Sequence, residues 1–326
     1  MKIDKKDIKR ILLITLTNVG DIILTTPIIA ALDKAFPDAR LDVMVGPLGK
    51  NIFINHPGVF KVIIYDKHVS IGEKKRLVQK LKHMKYDLVI DLKNSMFPML
   101  IGSRYRTSPL QTVPKDVIHK RDFHLWKLKY FDIDTRDVPF SIHVSRKDED
   151  YIDYLLRDMP NKDKLVAVSP TAKSLIKRWK KNGFAEVCDK LKKELGATVA
   201  MVGDRSDRES IDEIARDMKS DTVNLAGMTT IPQLAHLIKN SRLLISNDSA
   251  PMHIASAVGT KVLAIFGPTD PNKYGPLGKG DKVIKKELHC SPCEIAQCKF
   301  KHECMKLITV DEVYETARKM LEETRG

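Results

Sequence analysis

Three short runs put chemically useful side chains directly after apolar segments. Thr17-Asn18-Val19-Gly20-Asp21 follows residues 10–16, and Pro170-Thr171-Ala172-Lys173-Ser174-Leu175-Ile176-Lys177-Arg178-Trp179 follows residues 165–169. Asn247-Asp248-Ser249-Ala250-Pro251-Met252-His253 follows residues 243–246. A carboxylate such as Asp21 can take a proton from a hydroxyl or cap the helix that begins there. Hydroxyls and three cations in the second run suit a diphosphate, with Lys177 as a point charge and Thr171 as a hydrogen-bond donor. In the third run a helix opens beside Asp248 and Ser249, and free N–H groups at a helix start favour phosphate. His253 on that apolar helix is either a satisfied core residue or a ligand contact. Trp179 reads as packing between loop and sheet.

Weaker signals lie between these runs. In Gly203-Asp204-Arg205-Ser206-Asp207 the glycine permits close approach, and Asp204 or Asp207 can accept a ribose hydroxyl, with Asp207 as an ordinary helix cap the alternative. Ala226-Gly227-Met228 offers backbone contacts to a base. The Asp21 turn has a single glycine, where a dinucleotide fingerprint needs three. Cys290, Cys293, Cys298 and Cys304 form CxxC-x4-C-x5-C, a thiolate set suited to structural zinc or iron, with disulfides or idle thiols as the alternatives.

The elements that must carry these runs follow from hydrophobic periodicity. Short apolar strands at 10–16, 41–45, 62–65 and 88–92 alternate with helices at 21–36 and 72–84, a βαβ pattern with a parallel sheet. Pro37 ends the first helix. Residues 94–140 read as irregular, with short strands near Arg104 and at 139–144. A helix at 146–159 is broken by Pro160-Asn161-Lys162, which marks a junction between residues 1–160 and 161–326. The pattern then restarts with strands at 165–169, 198–202, 222–224, 243–246 and 261–266. Helices at 182–195, 207–218, 231–239 and 251–258 lie between or beside them. A last helix at 310–323 has a capping box in Thr309 and Glu312. The expected fold is α/β, two doubly wound domains with a cleft between them, and ligands at the carboxyl ends of the strands.

The chain has 326 residues and a net charge of +14. Residues 1–150 hold 27 Lys and Arg against 18 Asp and Glu, so the excess concentrates in the first half. Lys74, Lys75, Arg76, Lys80, Lys82 and Lys85, then Arg104 and Arg106, make an anionic partner expected there. The alternative is a solvated helix face opposite Leu77, Leu81 and Met84. No stretch of about 18 apolar residues exists, and the charged start runs straight into a strand, so a cytoplasmic location is expected.

Read together, the segments ILLITLTNVGDIILTTPIIAALDKAFPDA, SPTAKSLIKRW and NDSAPMHIASAVGTKVLAIFGPTDP, with CSPC and HECMKLITVDEV near the end, resemble glycosyltransferase family 9. These are the lipopolysaccharide heptosyltransferases, and the wording is closest to the heptosyltransferase III-like branch. The resemblance implies a GT-B fold of two Rossmann-like domains, acceptor on 1–160 and nucleotide sugar on 161–326. It implies an inverting transfer of heptose from ADP-heptose to a lipopolysaccharide core at the cytoplasmic face of the inner membrane, without catalytic metal and without nucleic acid. Asp21 matches the family's general base. The family's nucleotide-sugar contacts match Thr171, Ala172, Lys177, Asp248, Ser249, Ala250 and His253; the loop and charge readings above add Asp207 and Met228 on the donor side and Asn18, Gly20, Arg104 and Arg106 on the acceptor side. Pro170-Thr171-Ala172 stands where heptosyltransferase I has a double threonine, and Ser249-Ala250 where it has Thr-Gly. A nucleotide-sugar epimerase, a transferase for a different sugar, and an anionic-surface binder are the competing readings.

Overall fold

Runs such as Arg-Ile-Leu-Leu-Ile and Leu-Val-Ala-Val-Ser lack alternation, the pattern of strands covered on both faces. In the computed structural model, which describes residues 3–295 and 297–323, these runs are central strands of two parallel sheets. The chain divides into two units, Met1–His143 and Val144–Gly326.

The first unit holds β1 (Arg10–Ile14), β2 (Arg40–Val45), β3 (Lys61–Ile64), β4 (Leu88–Asp91) and β5 (Tyr105–Arg106), in the order β3-β2-β1-β4-β5. All pairings are parallel, and Ile14 lies level with Asp91. The second unit holds β6 (Leu165–Ser169), β7 (Thr198–Met201), β8 (Val223–Asn224), β9 (Leu243–Asn247), β10 (Val262–Ile265) and β11 (Lys282–Ile284). Their order is β11-β10-β9-β6-β7-β8, again all parallel. In each sheet the chain reverses its direction of travel beside the first strand, between β1 and β4 and between β6 and β9. That switch point is where open α/β sheets bind ligands.

Helices supply the covers. Lys181–Leu195 and Val310–Glu322 bury Phe184, Val187, Leu191, Val313, Ala317 and Met320 against the second sheet. The capping box of Thr309 and Glu312 is formed as expected.

Several expectations are corrected. The helix expected at 21–36 is two helices, Val19–Thr25 and Pro27–Ala35. Pro27 has no N–H to continue the first, and the Thr25 and Thr26 hydroxyls donate back to the carbonyls of Ile22 and Ile23. Residues 139–144 are not a strand. Ser141 instead donates its N–H to Thr26 Oγ1 and shares a 2.5 Å hydrogen bond with His56 Nε2. Helices Phe97–Ile101 and Lys120–Lys129 lie in the stretch read as irregular, and edge strand β11 went unseen because its side chains are largely exposed. The helix Arg146–Leu155, placed by sequence before the junction, belongs to the second unit. It packs on Ile231–Lys239, and Tyr151 OH donates to the Met228 carbonyl.

Candidate active site

The carboxyl edge of the second sheet is tied together by a few polar side chains. Asn247, the last residue of β9, is fully buried, accepts the Trp179 N–H through Oδ1 and donates to the Pro170 carbonyl through Nδ2. It thereby fixes both ends of the loop that leaves β6. Inside that loop Lys177 donates to Asp248 Oδ2 at 2.7 Å, and Thr269, from the loop after β10, donates to the same oxygen at 2.6 Å. Three loops thus meet on one carboxylate that is only 6% exposed. The ion pair holds the Lys177 ammonium in one place at the sheet edge, where it stays 27% exposed.

Beside this pair the helix Ala250–Val258 begins at Ser249, whose side chain makes no cap and lies 3.1 Å from Ser246 Oγ instead. The first-turn donors therefore have no side-chain cap, the arrangement that receives phosphate at a helix start. His253 is buried on the first turn and a half of this helix. Thr171 and Ala172 are buried; the Ala172 carbonyl accepts from Arg178 Nε, and Arg178 also reaches Asp207 at 3.5 Å. Asp207 completes a capping box with Asp204, so its carboxylate is already engaged by the Asp204 N–H. Gly227 has φ +73°, and a Cβ there would stand 2.8 Å from Arg205 Cα, so only glycine lets the loops after β7 and β8 close on each other. Met228 follows, 37% exposed. Trp179 packs as expected, with its Nε1–H donated to the Ile308 carbonyl.

In the first unit Asp21 does not cap its helix. Asn18 is the N-cap, and Asp21 stands one turn in, accepting from Asn18 Nδ2 at 3.2 Å. No basic side chain forms an ion pair with it among the described residues. Its carboxylate is half-exposed. Gly20 precedes it in the same turn. Arg104 and Arg106 are elsewhere: Tyr105 is level with Leu88 at the start of β4, the opposite end of the sheet from the Asp21 turn. Arg104 pairs with Asp7 at 3.0 Å and Arg106 donates to the Ser103 carbonyl.

The model of glycosyltransferase family 9 (heptosyltransferase) matches residues 74–303. Lipopolysaccharide heptosyltransferase 3 of Escherichia coli K12 is 32% identical over 276 residues, 77% of this chain and 80% of that protein. The chain belongs to glycosyltransferase family 9. Two solved structures share its fold. A family 9 glycosyl transferase from Veillonella parvula has a TM-score of 0.87 at 23% identity, covering 99% of both chains. The Escherichia coli ADP-heptose lps heptosyltransferase II has a TM-score of 0.81 at 23% identity, covering 97% of this chain and 100% of that one.

This family 9 member is therefore a transferase, and some of the bonds that join these loops were not evident from sequence. Asn247, Arg178 and Thr269 bond within and across these loops; Asn247 and Arg178 stood in the runs singled out by sequence, but nothing there indicated their partners. The C-terminal cysteines are all unpaired; Cys304 is buried, and Cys298 Sγ accepts the N–H groups of Phe300 and His302. Burial pushes the Cys304 thiol pKa up, with Cys298, Cys293 and Cys290 adding to the effect. The donor chemistry fits zinc or iron, but among the described residues no three His, Cys, Asp or Glu side chains gather at a metal position. No helix among them is long and apolar enough to cross a membrane.

Proposed function

We propose that the chain transfers heptose from ADP-heptose to a hydroxyl of an anionic lipopolysaccharide-core acceptor, with inversion, in a GT-B arrangement. The donor belongs to the second unit and the acceptor to the first. The observation that carries this reading is the Lys177–Asp248–Thr269 junction at the switch point of the second sheet, a fixed cation beside a helix start without a side-chain cap. The names of the heptosyltransferase relatives supply the sugar and its nucleotide. Asp21 takes the proton from the acceptor hydroxyl as its oxygen forms the bond to the anomeric carbon. The bond from that carbon to the diphosphate oxygen breaks, and the charge growing on the departing ADP is met by Lys177 and the N–H groups at Ser249 and Ala250. Thr171, Ala172 and His253 line the donor loops, while Asp207 and Met228 stand at the loops after β7 and β8, on the nucleoside side. Asn18 and Gly20 shape the acceptor turn. No step runs through the four cysteines; zinc or iron there would hold the segment.

The basic excess of the first half, together with exposed Met96, Met99 and Leu100 near Lys93, fits an acceptor carried on the cytoplasmic face of an anionic membrane. Thermal shift with ADP-, UDP- and GDP-sugars tests the donor. ADP-heptose raises the melting temperature while the UDP and GDP sugars do not, since stabilisation follows RT ln(1 + [L]/Kd). Sugar turnover without added acceptor would replace transfer by epimerisation.

A further inference from the structure

The turn after β4, at the switch point of the first sheet, is held more firmly than a strand-to-helix connection requires. The Asp91 carboxylate accepts the N–H of Lys93 at 2.8 Å, and the N–H and hydroxyl of Ser95 at 2.6 and 2.7 Å. Asn94 takes a left-handed conformation, φ +55°. From the helix Lys120–Lys129, the Lys127 ammonium donates to the carbonyls of Asp91 and Leu92 at 3.2 and 3.4 Å, and to Asn94 Oδ1 at 2.7 Å. Lys127 is 1% exposed and forms no salt bridge among the described residues; its hydrogen-bond acceptors are neutral oxygens, and burial pushes its pKa down while the nearby Asp91 carboxylate opposes this. Burying an ammonium is costly unless its donors are met, and here all three are spent on this one turn.

The residue presented by the turn is Lys93. The Leu92 N–H bonds the Ile14 carbonyl, so Lys93 leaves the sheet beside the strand that leads to Asp21. Its own ammonium is half-buried, 5.8 Å from the centre of the Tyr65 ring, and has no carboxylate salt bridge among the described residues. Burial pushes its pKa down, Asp91 opposes this and Lys67 adds to it. A partly desolvated cation beside a second cation gains most when an anion arrives.

We propose that Lys93 binds an anionic group of the acceptor, a phosphate or a carboxylate, and that Lys127 is the positioning residue that holds the turn presenting it. This rests on the acceptor half of the proposed function. The carbonyl oxygens and the Asn94 amide fix the backbone at residues 91–94, so the Lys93 side chain starts from one place and little ordering remains on binding.

The test is calorimetric binding of a de-O-acylated, phosphorylated core oligosaccharide to the full chain, before and after phosphatase treatment, with ADP as the control ligand. Lys93→Gln weakens oligosaccharide binding about tenfold, while Lys93→Arg keeps it within about threefold and ADP affinity is unchanged in both. If phosphatase treatment abolishes the Lys93→Gln effect, the anion is phosphate; if the effect survives, it is carboxylate. Lys127→Met weakens the same binding, and the double variant is no weaker than Lys93→Gln alone, because the two act as one unit. Unchanged binding in Lys93→Gln overturns the proposal, as does a parallel loss of ADP affinity. Additive losses remove the positioning role of Lys127. Wild type that binds oligosaccharide without transferring heptose removes the proposed function and leaves the anion site standing; wild type that binds ADP but no oligosaccharide removes the anion site.

Discussion

The two carboxyl edges are built in opposite ways. In the second unit Lys177, Thr269 and Asn247 tie the loops after β6, β9 and β10 into a rigid frame around Asp248. In the first unit the equivalent turn after β1 leaves Asp21 with a 3.2 Å hydrogen bond from Asn18 and, among the described residues, no ion pair. The difference follows from the chemistry each edge is proposed to meet. A diphosphate presents fixed charge, and a prebuilt cation lowers the ordering cost of binding it. A base must instead keep a lone pair unspent, and an ion pair would lower its proton affinity.

The largest effect should therefore come from the looser edge. Asp21→Asn is expected to lower kcat about 10³-fold while ADP-heptose affinity stays within a factor of about two, since it removes proton transfer and little else. Steady-state transfer assays beside calorimetric donor titration decide this, and turnover near wild type would take the base assignment away.

Breaking the rigid edge should show a different signature. Lys177→Met removes the cation and leaves Asp248 on Thr269 alone. Donor affinity is expected to fall on the order of 10²-fold, as for loss of a charge-assisted contact. Stability falls as well, but Lys177 is 27% exposed, so water reduces the roughly 3–5 kcal/mol of a broken buried pair to about 2 kcal/mol. Hydrogen exchange localises that loss: amides after β6 and β9 lose protection and those around Asp21 do not. Equal loss in both units would mean that Lys177 has no local framing role.

The contrast also explains what the sequence made legible. Strands β1, β6 and β9 were readable because both their faces are covered and their residues are continuously apolar. The three loop runs were readable because such strands end at abrupt polar turns. Reading Asp21–Phe36 as one helix failed because apolar periodicity continues across the break that Pro27 and the hydroxyls of Thr25 and Thr26 make. Arg104 and Arg106 were grouped with the acceptor by charge alone, whereas strand register puts Arg104 at the far end of the sheet, on Asp7. The clamp of Lys127 on Asn94 was invisible, since the partners are 33 residues apart and nothing in either segment predicts the other.

Acid should separate the two units again. Burial above all, then Lys127 and Lys120, push the His124 pKa down to about 3 from 6.5. His56 is lowered too, by burial and His143 with Asp33 opposing. The unfolded chain binds protons that these folded imidazoles refuse, so their contribution is complete above about pH 6.5 and is lost as pH falls toward the folded value. His124 alone gives a slope of about 1.4 kcal/mol per pH unit between roughly pH 6 and pH 4. Trp126 lies in the first unit and Trp179 in the second, so Trp126→Phe and Trp179→Phe report the units separately in urea. The first unit is expected to lose its midpoint first on acidification, and His124→Leu to flatten its slope. Coincident transitions at every pH would remove the distinction.

Thr269→Val makes the finest cut in the same comparison. Valine keeps the shape and deletes only the 2.6 Å hydrogen bond to Asp248, while Lys177 stays. If Asp248 acts by aiming Lys177, loosening its carboxylate should weaken donor binding about threefold and cost about 1 kcal/mol, with kcat nearly unchanged. Combined with Lys177→Met it should add almost nothing to the loss of donor affinity, because the carboxylate then has no cation to aim. A full additive loss in the double variant would instead show that Thr269 meets the donor directly, and Asp248 would become an anchor for two independent contacts.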